Sequence, residues 1–409
     1  MVQCVIPAVG MVAAAPVDDV SVAHSCRDLL ELLVGVSDGR SSQGRDHPAA
    51  VVLALAAAAT VAGMTGYTAM AGWVADVPQE VLTGLYQRAG AAPAGRPSRS
   101  TIWRVCTDAD PDTLDTAIGA WTARLRGDAT ADSVGETATA GDSPPSTQIR
   151  LDGKTVRGAV DVDQLHLLAA LASGPHPDAP AVVLAQAEVT GAKTNEPAIA
   201  RDLLNELDLH GVTITADALH TVKATAELIY QRGGQFVFPV KENRRALFDA
   251  LDTLPWTSTP IARSSTDIGH GRITRRTIQV LPAPDGLPFP HVNQVWLIER
   301  YVTDTHGQHI SAVAQLGVAS HTPDQASPAD LAAYNRGQWA IEALHWIRDT
   351  CYREDHSRVR TRSGPRILAS LRNLAINALR LAGRRDITEA TRWASRNMTR
   401  PFTILELTS

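Results

Sequence analysis

Apolar residues recur at helical spacing through the first third of the chain, then switch to alternation after residue 148. Residues from about Asp18 to Arg126 read as helical. Ser25-Cys-Arg-Asp-Leu-Leu-Glu-Leu-Leu33 has the spacing of a helix, and Ser37-Asp-Gly-Arg40 reads as a turn. Ala49 to Met70 predicts one further helix. Its first part, Ala49 to Met64, is the longest apolar run, but it is Ala-dominated and short of the ~20 strongly apolar residues of a membrane span. It predicts a buried helix. Pro97 to Val105 reads as a capped helix start, with Ser98 or Ser100 as N-cap and Arg99 and Arg104 outward, a form suited to reading DNA. Asp128 to Thr147 has no periodicity and no basic residue, and predicts a linker.

Beyond the linker, strands alternate with helices. Gln148 to Asp152, Gln164 to Leu171 and Ala181 to Val189 read as strands, and Asn195 to Leu207 as an amphipathic helix. Gly211 to Asp217 reads as a strand, Thr221 to Arg232 as a helix and Gln235 to Val240 as a strand. The order βββαβαβ is an α/β architecture, and it is the element order of a ribonuclease-H-like fold. Between Ser264 and Val318 come β-like runs at Arg272 to Val280, Gln294 to Thr303 and Ser311 to Val318. From Pro328 to its end the chain reads as helical. The expected division is a flexible extension over 1–24, a helical domain over 25–127 and a linker over 128–147. An α/β domain over 148–390 follows, with a β-rich insertion at about 260–325, and then a C-terminal tail over 391–409.

The overall charge of −5 does not advertise a nucleic-acid partner, but its distribution does more. From Asp330 to Ser409 fourteen arginines face eight acids, a surplus of six, which leaves −11 on the rest. A basic C-terminal segment on an acidic body is a candidate DNA footprint; a solvated arginine-rich helix face is the alternative. The four cysteines are scattered with no CxxC pair, which argues against a thiolate zinc site or a disulfide framework and for a reducing cytoplasmic setting.

Two aspartates, Asp152 and Asp217, are placed by this reading at strand ends, where open α/β sheets gather functional groups. Such positions are also routine turn sites. A third acid comes from Tyr334 to Tyr352, which predicts one helix. Trp339, Glu342 and Trp346 share a face, with Asp349 further along it, and the tryptophans imply that this face packs inward. A buried carboxylate needs a partner. A cation shared with the aspartates would serve, as would Arg336 or Arg348. Three carboxylates suit two oxygen-coordinated ions about 3.5–4 Å apart, which can activate an incoming oxygen and stabilise a leaving one in phosphoryl transfer. Asp152 would bridge both ions, with Asp217 and Glu342 holding one each. Asp349, Glu354 and Asp355 are rivals for the third place. Glu342-x-x-His345 has the spacing of di-iron bundles, without the second copy those require. A glycoside hydrolase with paired carboxylates is a rival class, disfavoured by the 5% aromatic content.

Ile149-Arg-Leu-Asp-Gly-Lys-Thr-Val-Arg-Gly158 resembles the first-aspartate signature of insertion-sequence transposases of the H-repeat-associated (ISAs-type) family. The likeness continues in order through His166-Leu167, Lys193-Thr-Asn-Glu196, Thr215-Ala-Asp-Ala-Leu-His220 and Val240-Lys-Glu-Asn243. Gly269-His-Gly-Arg272, Trp339 to Trp346, Arg353-Glu-Asp355 and Leu371 to Asn377 follow, and Gly44 to Pro48 and Pro97 to Val105 resemble the associated helical domain. The family often carries Gly-Asn-Gln after the lysine, where this chain has Glu242-Asn243-Arg244.

The resemblance implies a ribonuclease-H-like DDE core with a β-rich insertion and two Mg²⁺ ions, Mn²⁺ being able to substitute. The implied activity is cleavage at element ends and strand transfer into target DNA. It also implies terminal inverted repeats as partner, a homodimer on DNA, no membrane, and work at the bacterial nucleoid in the cytoplasm. A transposase-derived DNA-binding protein without catalysis is the alternative. Lys154, Lys241, Arg272, Arg275 and Arg353 are expected to hold phosphates. Asn243 and His220 are expected near DNA, His220 alternatively orienting Asp217. Trp296 is a candidate base-stacking residue, with a core role the more ordinary reading.

Overall fold

The computed structural model describes residues 28–408, apart from 44, 133–145, 160–163, 175–178 and 192–194. The expected extension over 1–24 and most of the expected linker therefore lie outside the described residues. Six helices come first: α1 (Leu29–Val34), α2 (Ala49–Val61), α3 (Tyr67–Ala75), α4 (Gln79–Arg88), α5 (Arg99–Asp108) and α6 (Pro111–Asp132). Every residue of α2 is buried, as expected for a helix apolar on all sides. The single helix expected over Ala49 to Met70 is two, because Gly63 takes a left-handed φ of 83° and the chain restarts at Tyr67. Ser98 caps α5, its Oγ accepting from the Thr101 N–H at 3.2 Å, with Arg99 and Arg104 exposed. The last helix, α6, continues past residue 127 to Asp132.

The α/β portion runs β1 (Gln148–Thr155), β2 (His166–Ser173), β3 (Val182–Glu188), α7 (Glu196–Asn205), β4 (Thr213–Thr215), α8 (Lys223–Gln231), β5 (Gln235–Val240) and α9 (Arg245–Asp252). It continues with β6 (Arg263–Gly269), β7 (Arg272–Pro282), β8 (Gln294–Asp304) and β9 (His309–Ala319). Five helices follow: α10 (Pro328–Gly337), α11 (Trp339–Thr350), α12 (Gly364–Leu381), α13 (Ile387–Ser395) and α14 (Arg400–Ile404).

All nine strands form one sheet in the order β3-β2-β1-β4-β5-β9-β8-β7-β6. In its first half β1 runs parallel to β4, and β4 to β5, while β2 is antiparallel to both β1 and β3. The insertion is a meander of long hairpins that continues the same sheet, through β9 antiparallel to β5 over Val237–Val240. Its first strand, β6, has no apolar alternation and is largely exposed, which is why the sequence pattern passes over it.

The two-residue period of β1 sorts its side chains. Ile149 and Leu151 enter a core with residues of α7, α8 and β5. Gln148 and Arg150 face the other way, reaching the Tyr334 carbonyl at 2.8 Å and the Gly337 carbonyl at 2.5 Å. Asp152 and Lys154 continue that polar row towards α11. The helix expected over Tyr334 to Tyr352 runs as α10 and α11, interrupted at Gln338, which keeps helical dihedrals of −52° and −31°. Gly337 lies so close to Gln148 that a Cβ would collide with its amide.

On this face the amino-terminal helices share one core with α11, α12, α13 and α14. The expected tail is folded into that core, where Phe402 is fully buried and stacks on Trp73 at 5.7 Å. Among the described residues, no helix is long and apolar enough to cross a membrane.

Candidate active site

Asp152, Asp217 and Glu342 come from three neighbouring elements. Asp152 does not end its strand; β1 continues to Thr155, and Asp152 pairs in register with Ala169. Asp217 stands just beyond the carboxyl end of β4, exposed, its Oδ1 accepting from the Leu219 N–H at 2.8 Å. Glu342 lies in the first turn of α11 and is exposed. The inward-packing face expected for this helix is overturned: Trp339 is 68% and Trp346 64% exposed. The helix instead buries Ile341, Leu344 and Arg348.

Burial raises the Asp152 carboxyl to about 6, and the charges of Asp217, Glu196 and Glu342 add to the effect, against a hydrogen bond from the Gly153 N–H that lowers it. His345 Nδ1 stands 3.6 Å from Asp152 Oδ2. Burial, then Arg348 and Lys154, drives that imidazole down to about 3, so it faces Asp152 uncharged.

The rivals for the third acid are engaged elsewhere. Glu354 is fully buried and takes a bidentate pair from Arg348 at 2.8 and 2.9 Å and a third bond from Arg372 at 2.9 Å. Asp349 and Asp355 accept from Lys154 Nζ at 2.8 and 3.4 Å. The arginines suggested as partners for Glu342 are also committed, Arg348 to Glu354 and Arg336 to Asp267 at 3.1 Å.

The expected DNA-facing residues divide. Lys154 is 8% exposed and locked between two acids, so it is not a phosphate contact. His220 is 1% exposed and bonds Glu196, which removes it from any DNA surface. Asn243 braces the Asp217 loop, donating to the Ala218 carbonyl at 3.0 Å, while Arg244 donates to the Thr221 carbonyl at 2.7 Å. Asn243, which keeps the pattern, and Arg244, which departs from it, thus tie the two loops together. Trp296 is fully buried against Gly317 and belongs to the core. Lys241, Arg272, Arg275 and Arg353 are exposed.

A cleft of about 1570 Å³ opens between the insertion and the α10–α11 pair. Asp217, Glu342, Trp339 and Lys241 line it, as do Arg276, Arg300 and Arg336, which the sequence reading did not single out. Arg276 and Arg300 sit directly opposite each other on β7 and β8, and Arg276 is paired with Asp267 at 2.5 Å, the same carboxylate that Arg336 reaches.

Glu196, at the start of α7, was also missed as a site residue. It is 3% exposed, and its two carboxylate oxygens accept from His166 Nε2 at 2.8 Å and His220 Nε2 at 2.9 Å. Burial alone would raise it; the two histidine bonds outweigh that and hold it down at about 2. Its signal in the sequence was faint, three polar residues in three separate motif segments.

Among the described residues, no group of three or more His, Cys, Asp or Glu side chains is arranged to hold a metal ion. The chemistry of the acid set nonetheless fits a hard divalent cation. The donors are all carboxylate oxygens, and the repulsion that raises Asp152 is left standing, with Lys154 turned to Asp349 and Asp355.

Comparison with known proteins follows the same outline. The Transposase DDE domain family model matches residues 165–378, a stretch that begins after Asp152 and contains Asp217 and Glu342, and the DDE_Tnp_1-associated model matches residues 30–122. A protein of Xanthobacter autotrophicus, "Uncharacterized protein in dhlA 3'region", is 29% identical over 298 residues, covering 70% of this chain and 91% of its own. "H repeat-associated putative transposase YhhI" of Escherichia coli (strain K12) is 26% identical over 368 residues, covering 86% and 90%. A solved piggyBac transposase synaptic complex with hairpin DNA aligns at a TM-score of 0.38 and 10% identity, over 87% of this chain and 72% of the other, too distant to bear on the fold. With a DDE-domain match over half its length and an associated helical region in front of it, the chain belongs to the DDE transposase family, with H repeat-associated transposases among its relatives.

Proposed function

We propose that this protein cleaves DNA at the ends of an insertion sequence and joins the freed 3′ ends to target DNA, with Asp152, Asp217 and Glu342 as its acidic triad. The observation that carries this reading is the placement of Asp152 on β1, Asp217 just after β4 and Glu342 in the first turn of α11, with the rival acids Glu354, Asp349 and Asp355 already paired. The strand order β3-β2-β1-β4-β5, with β2 alone antiparallel to β1 among its neighbours, supports a ribonuclease-H-like core.

Bound divalent ions of the Mg²⁺ type would supply positive charge at the reacting phosphate and acidify the attacking hydroxyl or water. The chain's own residues do the remaining work. Asp152 offers its carboxylate from the rigid middle of a strand, Asp217 from a loop braced by Asn243 and Arg244, and Glu342 from an exposed helix turn. Neutral His345 flanks Asp152 without competing for its charge. Lys241, Arg276, Arg300 and Arg336 line the cleft where strand phosphates would lie, and Trp339 offers a flat apolar face beside Glu342. Exposed Arg272, Arg275 and Arg353 extend the positive surface. Joining two ends calls for two copies of the chain on the DNA, a homodimer bound to terminal inverted repeats in the bacterial cytoplasm.

The test is Mg²⁺-dependent nicking of duplexes carrying the element's own termini. Asp152→Asn and Glu342→Gln each abolish nicking while binding of the same duplex persists, and Asp349→Asn acts less severely. Retained nicking by Asp152→Asn with Mg²⁺ would overturn the assignment. Binding without nicking by the unaltered protein would favour a DNA-binding role alone.

A further inference from the structure

The buried Glu196 cluster lies beside the triad without belonging to it. Its connections run outward in two directions. Through His166 it reaches β1, because His166 Nδ1 and Thr155 Oγ1 lie 3.0 Å apart. Through His220 it reaches the loop that starts at Asp217, whose turn is closed by the His220 N–H donating to the Asp217 carbonyl at 3.1 Å. The carboxylate also sits directly beneath Gly153, where a Cβ would come within 2.8 Å of Glu196 Oε2 and would strike the His166 ring. Position 153 can therefore hold only glycine while this cluster is intact. β1 and β4 pair only at Gln148 to Arg150, and the ladder ends before Asp152 and Asp217, so it does not itself set the gap between them.

We propose that Glu196 is a positioning residue that fixes the separation of Asp152 and Asp217 by clamping β1 and the 217–220 loop through His166 and His220. The inference rests on the metal-dependent reading of the triad given above. A carboxylate suits this task because it accepts two N–H donors from opposite sides at once, and the buried site leaves it no water to exchange them for. Groups that orient metal-binding side chains from behind typically change metal affinity 10–100-fold when removed.

The experiment measures Mn²⁺ binding to the full chain without DNA, by the loss of the free-ion paramagnetic resonance signal, alongside the Mg²⁺ concentration that half-saturates nicking. Glu196→Gln is expected to weaken Mn²⁺ binding roughly tenfold or more and to raise the Mg²⁺ requirement in proportion. Nicking should recover in part at high Mg²⁺, while DNA affinity stays unchanged. Glu196→Asp and His220→Gln, which keep the polarity of the cluster, should give intermediate shifts, and they serve if Glu196→Gln does not fold. Unchanged Mn²⁺ affinity in these variants, with only a lower melting temperature, would make the cluster a structural ion network and overturn the proposal. Asp152→Asn separates the two readings. If the unaltered protein binds Mn²⁺ no better than Asp152→Asn does, the metal reading of the triad falls and takes the clamp with it. If Asp152→Asn loses binding and the Glu196 variants do not, the clamp alone falls.

Discussion

Burial, then the charges of Asp217, Glu196 and Glu342, lift the Asp152 carboxyl from 3.8 to about 6. A group whose folded pKa is raised keeps its proton longer in the folded state. The metal-free protein therefore loses stability as pH climbs from the unfolded value through about 6. Asp152→Asn removes that penalty, and should stabilise the metal-free chain at pH 8 by on the order of 2 kcal/mol, seen as a higher urea midpoint. Equal or lower stability in that variant would contradict the electrostatic account. Glu354 behaves oppositely. Burial favours its neutral form, but Arg348 and Arg372 hold it down to about 2, so its stabilisation is complete above about 4.5 and drains away as pH falls towards about 2. Glu354→Gln leaves buried arginines unpaired and should cost roughly 3–5 kcal/mol near pH 7. The gap from the unaltered protein should shrink as acid is added, which denaturant melts across that range would register. These two acids sit within a few residues of recognisable motifs, and the sequence distinguishes them poorly. Spacing singled out Asp152 and Glu342 but set the one at a strand end and the other on an inward face, and Lys154 and Glu354 owe their roles to partners that only folding brings near.

At the scale of elements, α11 shows why helical periodicity misled. Trp339, Glu342 and Trp346 do share a face, as their spacing requires, but the pattern cannot say whether an aromatic face meets the core or a ligand. The core of this helix is supplied by Ile341, Leu344 and the paired Arg348. Trp339, in the cleft wall, is free to stack on an unpaired base. Trp339→Ala should weaken binding of element ends with unpaired flanks by about 1–3 kcal/mol and affect fully paired duplex less, by fluorescence anisotropy. Equal loss on both substrates would argue against stacking. Strands were read more reliably. The alternation in β1 and the apolar run of β5 carry the sheet's central pattern in short windows. The need for glycine at 337 was not legible, because it follows from contact with two β1 side chains nearly two hundred residues earlier.

Across the whole molecule, the first and last helices belong to one core. Arg88 donates to the Leu407 carbonyl at 2.5 Å, Asn377 bridges to the Val183 backbone at 2.8 Å, and buried Phe402, Leu405 and Leu407 pack with the residues of α1 to α5. The expected division, with a helical domain over 25–127 and a tail over 391–409, gave no sign of this, since nothing in either segment names the other. Removing residues 400–409 should lower the melting temperature of the whole chain in a single cooperative transition, and residues 28–132 expressed alone should show no cooperative melt. A separate, later transition for the α/β portion would count against one shared core. The dependence has a genetic corollary. Copies of mobile elements decay by frameshift and truncation, and a surviving amino-terminal remnant that still gripped element ends could silence an intact sister copy. If the opening helices do need the closing ones, no such remnant would fold, and a damaged gene would yield a product open to proteolysis rather than a dominant inhibitor.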